Sequence, residues 1–348
     1  MLLVASDGTF ADHDPGPGHP ERPARLRAVL EGVEEVACAG VVRPLEARDA
    51  TEAELRRVHT AGHLERLQAL IGSGGGPIDP DTVVSGGSWS AAVRAAGAGL
   101  AAVEALEEGD GTAAFCALRP PGHHATANRA MGFCLLNNVA VAAAALAERG
   151  ERVVVVDWDA HHGNGTQDIF YEDPRVLYVS FHEWPLYPGT GRLHETGAGA
   201  GAGTTCNLPL PAGATGDVYL RAMDEVVGPL AERFAPTWVL VSAGYDAHRA
   251  DPLTGLGLSA GDFADLTARV ASLAPGPGRL VAFLEGGYDL DALRDSVVAT
   301  LATLAGEGGG RAEPPTAGGP GQPVVDAAAD LWSRDGDGLP QEAGRDRR

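Results

Sequence analysis

Two aspartates and a histidine alternate through DWDAHH, residues 157–162. Where a strand ends in extended backbone, side chains two residues apart share one side, so Asp157, Asp159 and His161 converge. Buried hydrogen bonding could occupy such a set. Adjacent carboxylates nevertheless repel unless a cation or several donors stand between them, and metal binding is the reading we favour. A further ligand must come from elsewhere in the chain, and Asp246 in SAGYDAH is the natural candidate. Two Asp oxygens, one His nitrogen and a position open to water describe a catalytic zinc site rather than a structural one. So oxygen-rich a set also accepts Fe(II), Co(II) or Mn(II).

Acid–base groups accompany these ligands. His123 and His124 stand in tandem on the Pro/Gly-rimmed segment RPPGHHA. A lone histidine is more often structural, but two together beside a metal suit proton transfer. Tyr288 follows two glycines in LEGGYDL, which let the backbone turn sharply and present the phenol. Beside a metal, a phenol can polarise a carbonyl as an oxyanion-hole donor does.

Elements must bring these pieces together. Short β-branched runs at 2–5, 113–117, 152–156, 176–181, 238–242 and 280–284 are apolar on both faces, as buried parallel strands are. Alanine-rich amphipathic stretches at 21–36, 91–107, 135–148, 218–234, 261–273 and 290–305 read as helices between them. The alternation predicts a single α/β domain over residues 1–305, an open and mainly parallel sheet with helices on both faces. In such sheets the site lies at the C-terminal ends of the strands. Four of these runs lead directly into LRPPGHHA, DWDAHHGNG, AGYDAH and EGGYDL, so the reactive residues fall where the rule places them. From about residue 306 to 348 the chain is rich in Gly, Pro, Ala and Asp. It reads as a largely disordered tail with a short ordered piece around 324–332.

The segments HPERP at 19–23, RPPGHHA at 119–125, GFC at 132–134, DWDAHHGNGTQ at 157–167, YPGTG at 187–191, SAGYDAH at 242–248 and EGGY at 285–288 carry a resemblance. Over residues 2–305, and in this order, they resemble the histone deacetylase superfamily, in its class II-like and bacterial branch with acetylpolyamine amidohydrolases and acetoin-utilisation proteins. The resemblance implies an arginase/deacetylase-like fold and a zinc held by Asp159, His161 and Asp246. It implies that His124 is the general base, that His123 helps stabilise the oxyanion, and that Tyr288 donates to the substrate carbonyl. Asp157 would orient His123 and Asn164 would orient His124. A structural potassium is implied at Asp157, Asp159, His161, Ser180 and Phe181. An acyl-lysine tunnel would be walled by Phe133 and Tyr187, with Gly132 allowing close approach. Many relatives carry Phe where this chain has Tyr187. Leu253 stands where one polyamine-selective type carries an acid. The implied reaction is hydrolysis of an acetyl or other short acyl amide on a lysine side chain or similar amine, the alternative being an acetylated polyamine.

Other classes fit less well. A ureohydrolase would need a second metal with additional His and Asp ligands, and tandem His123–His124 with Tyr288 suits single-zinc chemistry better. A binding module with dead chemistry is disfavoured because every candidate catalytic position holds a chemically able residue. GAGAGAG at 197–203 runs into the extended TTCNLPLP rather than opening a helix after a strand, which excludes a dinucleotide loop. His59, His63 and His194 read as surface or packing residues, His182 and His248 near strand ends as supporting or structural residues with the site rim as the alternative, and Cys134 as a small packed hydrophobe. A net charge of -21 argues against nucleic acid and anionic lipid as partners and suits either a cationic ligand or partner or an excess of acid that serves only to keep the chain soluble. Four scattered cysteines and an N-terminus without a signal-peptide pattern predict a cytoplasmic protein. No apolar stretch is long enough to span a bilayer, and self-association is left open.

Overall fold

A computed structural model describes residues 1–307 and 313–334. Its strands are β1 (Leu2–Ser6), β2 (Val42–Glu46), β3 (Gly76–Pro77), β4 (Val83–Val84), β5 (Ala113–Cys116), β6 (Val153–Asp157), β7 (Val176–Glu183), β8 (Thr205–Leu210), β9 (Trp238–Ala243) and β10 (Leu280–Leu284). β3 and β4 form a small antiparallel pair. The other eight form one parallel sheet in the order β2-β1-β5-β10-β9-β6-β7-β8.

Alternate residues of each central strand enter different cores, because successive side chains of a strand point to opposite faces. Val154 and Val156 pack into one core, with helices Pro23–Ala37, Ala260–Ala271 and Leu290–Leu304. Val153 and Val155 pack into the other, with helices Ser88–Glu107 and Asn138–Glu148. Both sheet faces are thus covered, and the architecture is the expected single α/β domain.

The expected strands and helices form, with informative differences at their edges. β2 was not anticipated: its sequence, VRPLE, is half-exposed and contains a proline, as an edge strand tolerates and a central one does not. The helix expected at 135–148 starts at Asn138, because the Asn137 side chain caps it by accepting from the Ala140 amide. The run expected at 218–234 contains a π-turn at Met223–Val227 between two α-helical pieces. Pro229 supplies a cause, since it lacks the N–H that a regular α-helix would donate to residue 225.

The tail departs from expectation. Residues 313–321 lie along the domain, where Thr316 donates to Asp262 and Gly319 to Thr215. Helix Gln322–Arg334 then packs Val325, Ala328 and Trp332 into the first core. The ordered piece is therefore longer than 324–332, and the apolar spacing of those three residues anchors it. The expectation of disorder at 308–312 and 335–348 lies outside the described residues. We expect Trp332→Ala to lower stability by about 3–5 kcal/mol, the usual cost of emptying a large aromatic site. An unchanged denaturation midpoint would show that this helix does not belong to the cooperative unit.

Candidate active site

The four segments singled out in the sequence leave β5, β10, β9 and β6, which are neighbours in the sheet. Their carboxyl ends therefore open onto one place. Register sharpens this convergence, because Asp157 at the end of β6 pairs with Ser242 on β9 and Ser180 on β7.

Asp159, His161 and Asp246 bring their ligand atoms within 4.8 Å of one another. His161 Nδ1 lies 3.2 Å from Asp159 Oδ1 and 2.9 Å from Asp246 Oδ2. The outer carboxylate lone pairs are taken by backbone amides: Gly286 donates to Asp159 Oδ2 and Ala160 to Asp246 Oδ1, both at 2.8 Å. A side chain at 286 would run into both carboxylates, so glycine is what lets the last turn come this close. Burial and the charge of Asp159 push the Asp246 carboxyl up to about 7. Burial disfavours a charged His161, yet the two carboxylates outweigh it and raise its pKa well above the ordinary value. His161 Nδ1 thus faces one oxygen from each carboxylate, and the same three side chains suit a divalent cation. Two oxygens and one nitrogen, with buried negative charge to neutralise, fit zinc.

The tandem histidines face this cluster under opposite electrostatics. His123 Nδ1 lies 3.0 Å from Asp157 Oδ2, which Tyr178 also donates to at 3.0 Å. Burial lowers the His123 pKa, but the charges of Asp159 and Asp157 prevail and raise it to about 10. His124 Nδ1 lies 2.8 Å from Asn164 Oδ1, a neutral acceptor. Burial, then the charges of His123 and His161, hold His124 far below its ordinary value. The two rings are thus pushed in opposite directions, His123 toward its charged form and His124 toward its neutral one. Asn164 fixes the N–H of His124 at Nδ1, which leaves Nε2 free to accept a proton.

Aromatic rings flank the histidines. Gly132 and Phe133 both adopt positive φ, 56° and 66°. A side chain at 132 would overlap the His124 ring, and a non-glycine residue in this region stores strain of about 1–3 kcal/mol. The turn aims Phe133 at Tyr288, with ring centroids 5.8 Å apart. Tyr187 stands against His124 and His161, at 5.2 and 6.4 Å. Tyr187 and Leu253 are 37% and 38% exposed, and Met1 is the only other large apolar side chain so exposed among the described residues. Ser180 and Phe181 are buried, and the Ser180 hydroxyl lies 3.0 Å from His182 Nδ1.

Sequence reasoning missed the groups that hold Tyr288. Arg25 is fully buried and donates to the carbonyls of Gly287 and Glu285, both at 2.6 Å. Its guanidinium lies 4.9 Å from the centre of the Tyr288 ring. The Tyr288 amide donates to Asp251 Oδ2 at 2.7 Å. Arg25 pairs in turn with Glu21, whose carboxylate also takes Arg119 on both oxygens. Burial opposes the Glu21 charge, but Arg119 and His13 hold its pKa well below the carboxylate range. A signal was available: Arg25 falls on the same helical stripe as Val29, Gly32 and Val36, where a charge belongs only if it is paired. Of the other histidines, His59, His63, His182 and His248 are buried and hydrogen-bonded, while His194 is exposed. The four cysteines are free thiols, and among the described residues no helix is long and apolar enough to cross a membrane.

Comparison with known proteins places the chain in a family. The histone deacetylase domain family matches residues 19–304. An Archaeoglobus fulgidus protein named "Probable deacetylase" is 40% identical over 303 residues, covering 85% of this chain and 84% of that relative. The histone deacetylase-like amidohydrolase of Pseudomonas aeruginosa is 41% identical over 282 residues, covering 78% of this chain and 73% of its own. The crystal structure of an HDA15 HD domain matches with a TM-score of 0.87 at 35% identity, over 96% of both chains. Fold and sequence agree, and the chain belongs to the histone deacetylase family.

Proposed function

We propose that this protein is a zinc-dependent deacylase that hydrolyses an acetyl or other short acyl amide on a lysine side chain or similar amine. The observation that carries this reading is the convergence of Asp159, His161 and Asp246 beside two histidines, one set against the Asp157 carboxylate and the other against the Asn164 amide oxygen. Those three residues would hold the metal, and Fe(II) or Co(II) would also suit them. Bound zinc supplies Lewis acidity to the acyl carbonyl and brings the pKa of water toward neutrality. The family resemblance further implies a structural potassium at Asp157, Asp159, His161, Ser180 and Phe181.

The chain's own groups then divide the work. His124, neutral with Nε2 free, removes a proton from the attacking water. His123, held charged, stabilises the negative charge that develops on the carbonyl oxygen, and a histidine returns a proton to the departing amine. Burial keeps the Tyr288 phenol protonated, despite the opposing pull of Arg25, so it can donate to the same oxygen. Phe133 and Tyr187 would line the acyl chain's path, with Leu253 at its mouth. Products are a short carboxylate and a free amine.

A second substrate reading, an acetylated polyamine, draws on Asp79 and Asp81. Their negative charges, after burial, help raise the pKa of Tyr187, which puts them near the same entrance. Apolar Leu253 speaks for acyl-lysine.

With acetyl-lysine peptides and acetylated polyamines assayed side by side on zinc-loaded protein, we expect chelator-sensitive turnover, greater on the peptides. Turnover that persists in chelator, or no turnover of either set with zinc still bound, contradicts the reading. Tyr288→Phe is expected to retain metal while kcat drops on the order of a hundredfold, as for loss of one oxyanion donor. Near-native kcat in that variant would remove Tyr288 from the mechanism.

A further inference from the structure

Behind these residues lies a buried carboxylate that the proposed reaction does not use. Glu285 is 1% exposed and is the first residue after β10. Its Oε2 accepts the backbone N–H of Gly122 at 2.6 Å and of His123 at 3.2 Å. Its Oε1 accepts the Ser242 hydroxyl at 3.2 Å. Its main chain is engaged as well: its N–H donates to the Ala243 carbonyl at 3.1 Å, and its carbonyl accepts from Arg25.

An ionised carboxylate is a costly residue to place here. Burial raises its pKa to about 7, with His123 and the Gly122 amide pulling it down and Asp157 and Asp159 pushing it up. An apolar side chain would fill the volume without that cost. What the carboxylate adds is acceptors. The segment 119–125 leaves the sheet at β5, so its amides have no ladder partners, and a buried N–H without an acceptor costs about 1–3 kcal/mol. Two successive amides aimed at one carboxylate form a small anion cradle. Glu285, His123 and Cys134 also bring potential ligand atoms within 4.8 Å of one another. Both oxygens of Glu285 are already taken by protein donors, which favours anchoring over metal binding.

We propose that Glu285 is a positioning residue for the deacylation reaction, a role that rests on the reading above. Its side chain fixes the backbone under His123 and His124, while its carbonyl, through Arg25, fixes the turn that carries Tyr288. One residue thereby registers the proton-transfer groups against the carbonyl-polarising phenol, across β5, β9 and β10. Orientation is where such a contact acts, because a displacement of about 1 Å at reacting groups can cost on the order of a hundredfold in rate.

The test compares wild type, Glu285→Ala, Glu285→Gln and Glu285→Asp. Amide hydrogen exchange over 119–126, zinc content, kcat and KM are measured for each. Alanine removes the acceptor, and aspartate keeps the charge but shortens the reach. Glutamine keeps an amide oxygen for Gly122 and a polar partner for Ser242. We expect the alanine and aspartate variants to retain zinc but lose protection at Gly122 and His123. Their kcat should fall on the order of tenfold to a hundredfold, with little change in KM. Glutamine should restore both protection and most of kcat. If alanine fails to fold, the contrast between glutamine and aspartate decides the same question. Unchanged exchange in both shortened variants, a loss confined to KM, or glutamine as impaired as aspartate would overturn the proposal. Wild type without turnover would defeat the deacylase reading instead, while the exchange data would still report whether Glu285 holds the histidine segment.

Discussion

Negative charge brought together out of water is the constraint on which this structure turns. Asp157, Asp159 and Asp246 are each at most 1% exposed and meet at the ends of neighbouring strands. Like charges at such range in a low dielectric repel strongly unless donors and cations separate them. The fold meets this demand in layers. Backbone amides of Ala160, His161 and Gly286 take the outward lone pairs, His123 and Tyr178 take Asp157, and His161 stands between the remaining two carboxylates. Glycine at 286 permits the approach, and covered sheet faces on both sides keep the strand ends in register.

The same charges set the division of labour between the tandem histidines. The pKa values of two chemically identical neighbours are driven apart: against burial, the charges of Asp159 and Asp157 raise that of His123, whereas burial and the nearby cationic rings lower that of His124. His123, once charged, itself lowers the pKa of His124. Separated pKa values of this kind mark acid and base roles in one site. A second ionic cluster, Arg119–Glu21–Arg25, is equally buried, and it ties residues 21–25 to the turn before Tyr288.

Much of this was legible in the sequence, and the reasons are physical. DWDAHH and SAGYDAH follow apolar, β-branched runs, so their placement at strand ends follows from the α/β rule. The partners of the two histidines came from motif resemblance, and the geometry sets Asp157 and Asn164 against them. What stayed hidden depends on distance in space. Nothing local shows that β10 and β9 insert between β5 and β6, and this insertion is what brings Tyr288 and Asp246 to the histidines. Arg25 shows only as a charge on an apolar helical stripe, and nothing local says that its partners are Glu21 and the carbonyls of Glu285 and Gly287. Asp251 acts through a backbone amide and carries no side-chain signature. In the tail, Gly and Pro masked a helix whose stability comes from three buried apolar contacts rather than from composition.

The most direct test of this account is a zinc titration into metal-stripped protein, followed by thermal unfolding, for wild type and Asp246→Ala. If the buried carboxylates are arranged for a divalent cation, wild type binds one equivalent tightly and its Tm rises, because a ligand bound only by the folded state stabilises it. The variant, with one donor gone, binds far more weakly and shows little rise. Wild type that takes up no zinc, or wild type and variant that bind it equally well, would show that these carboxylates are not arranged for a metal, and the metal-centred reading would be wrong.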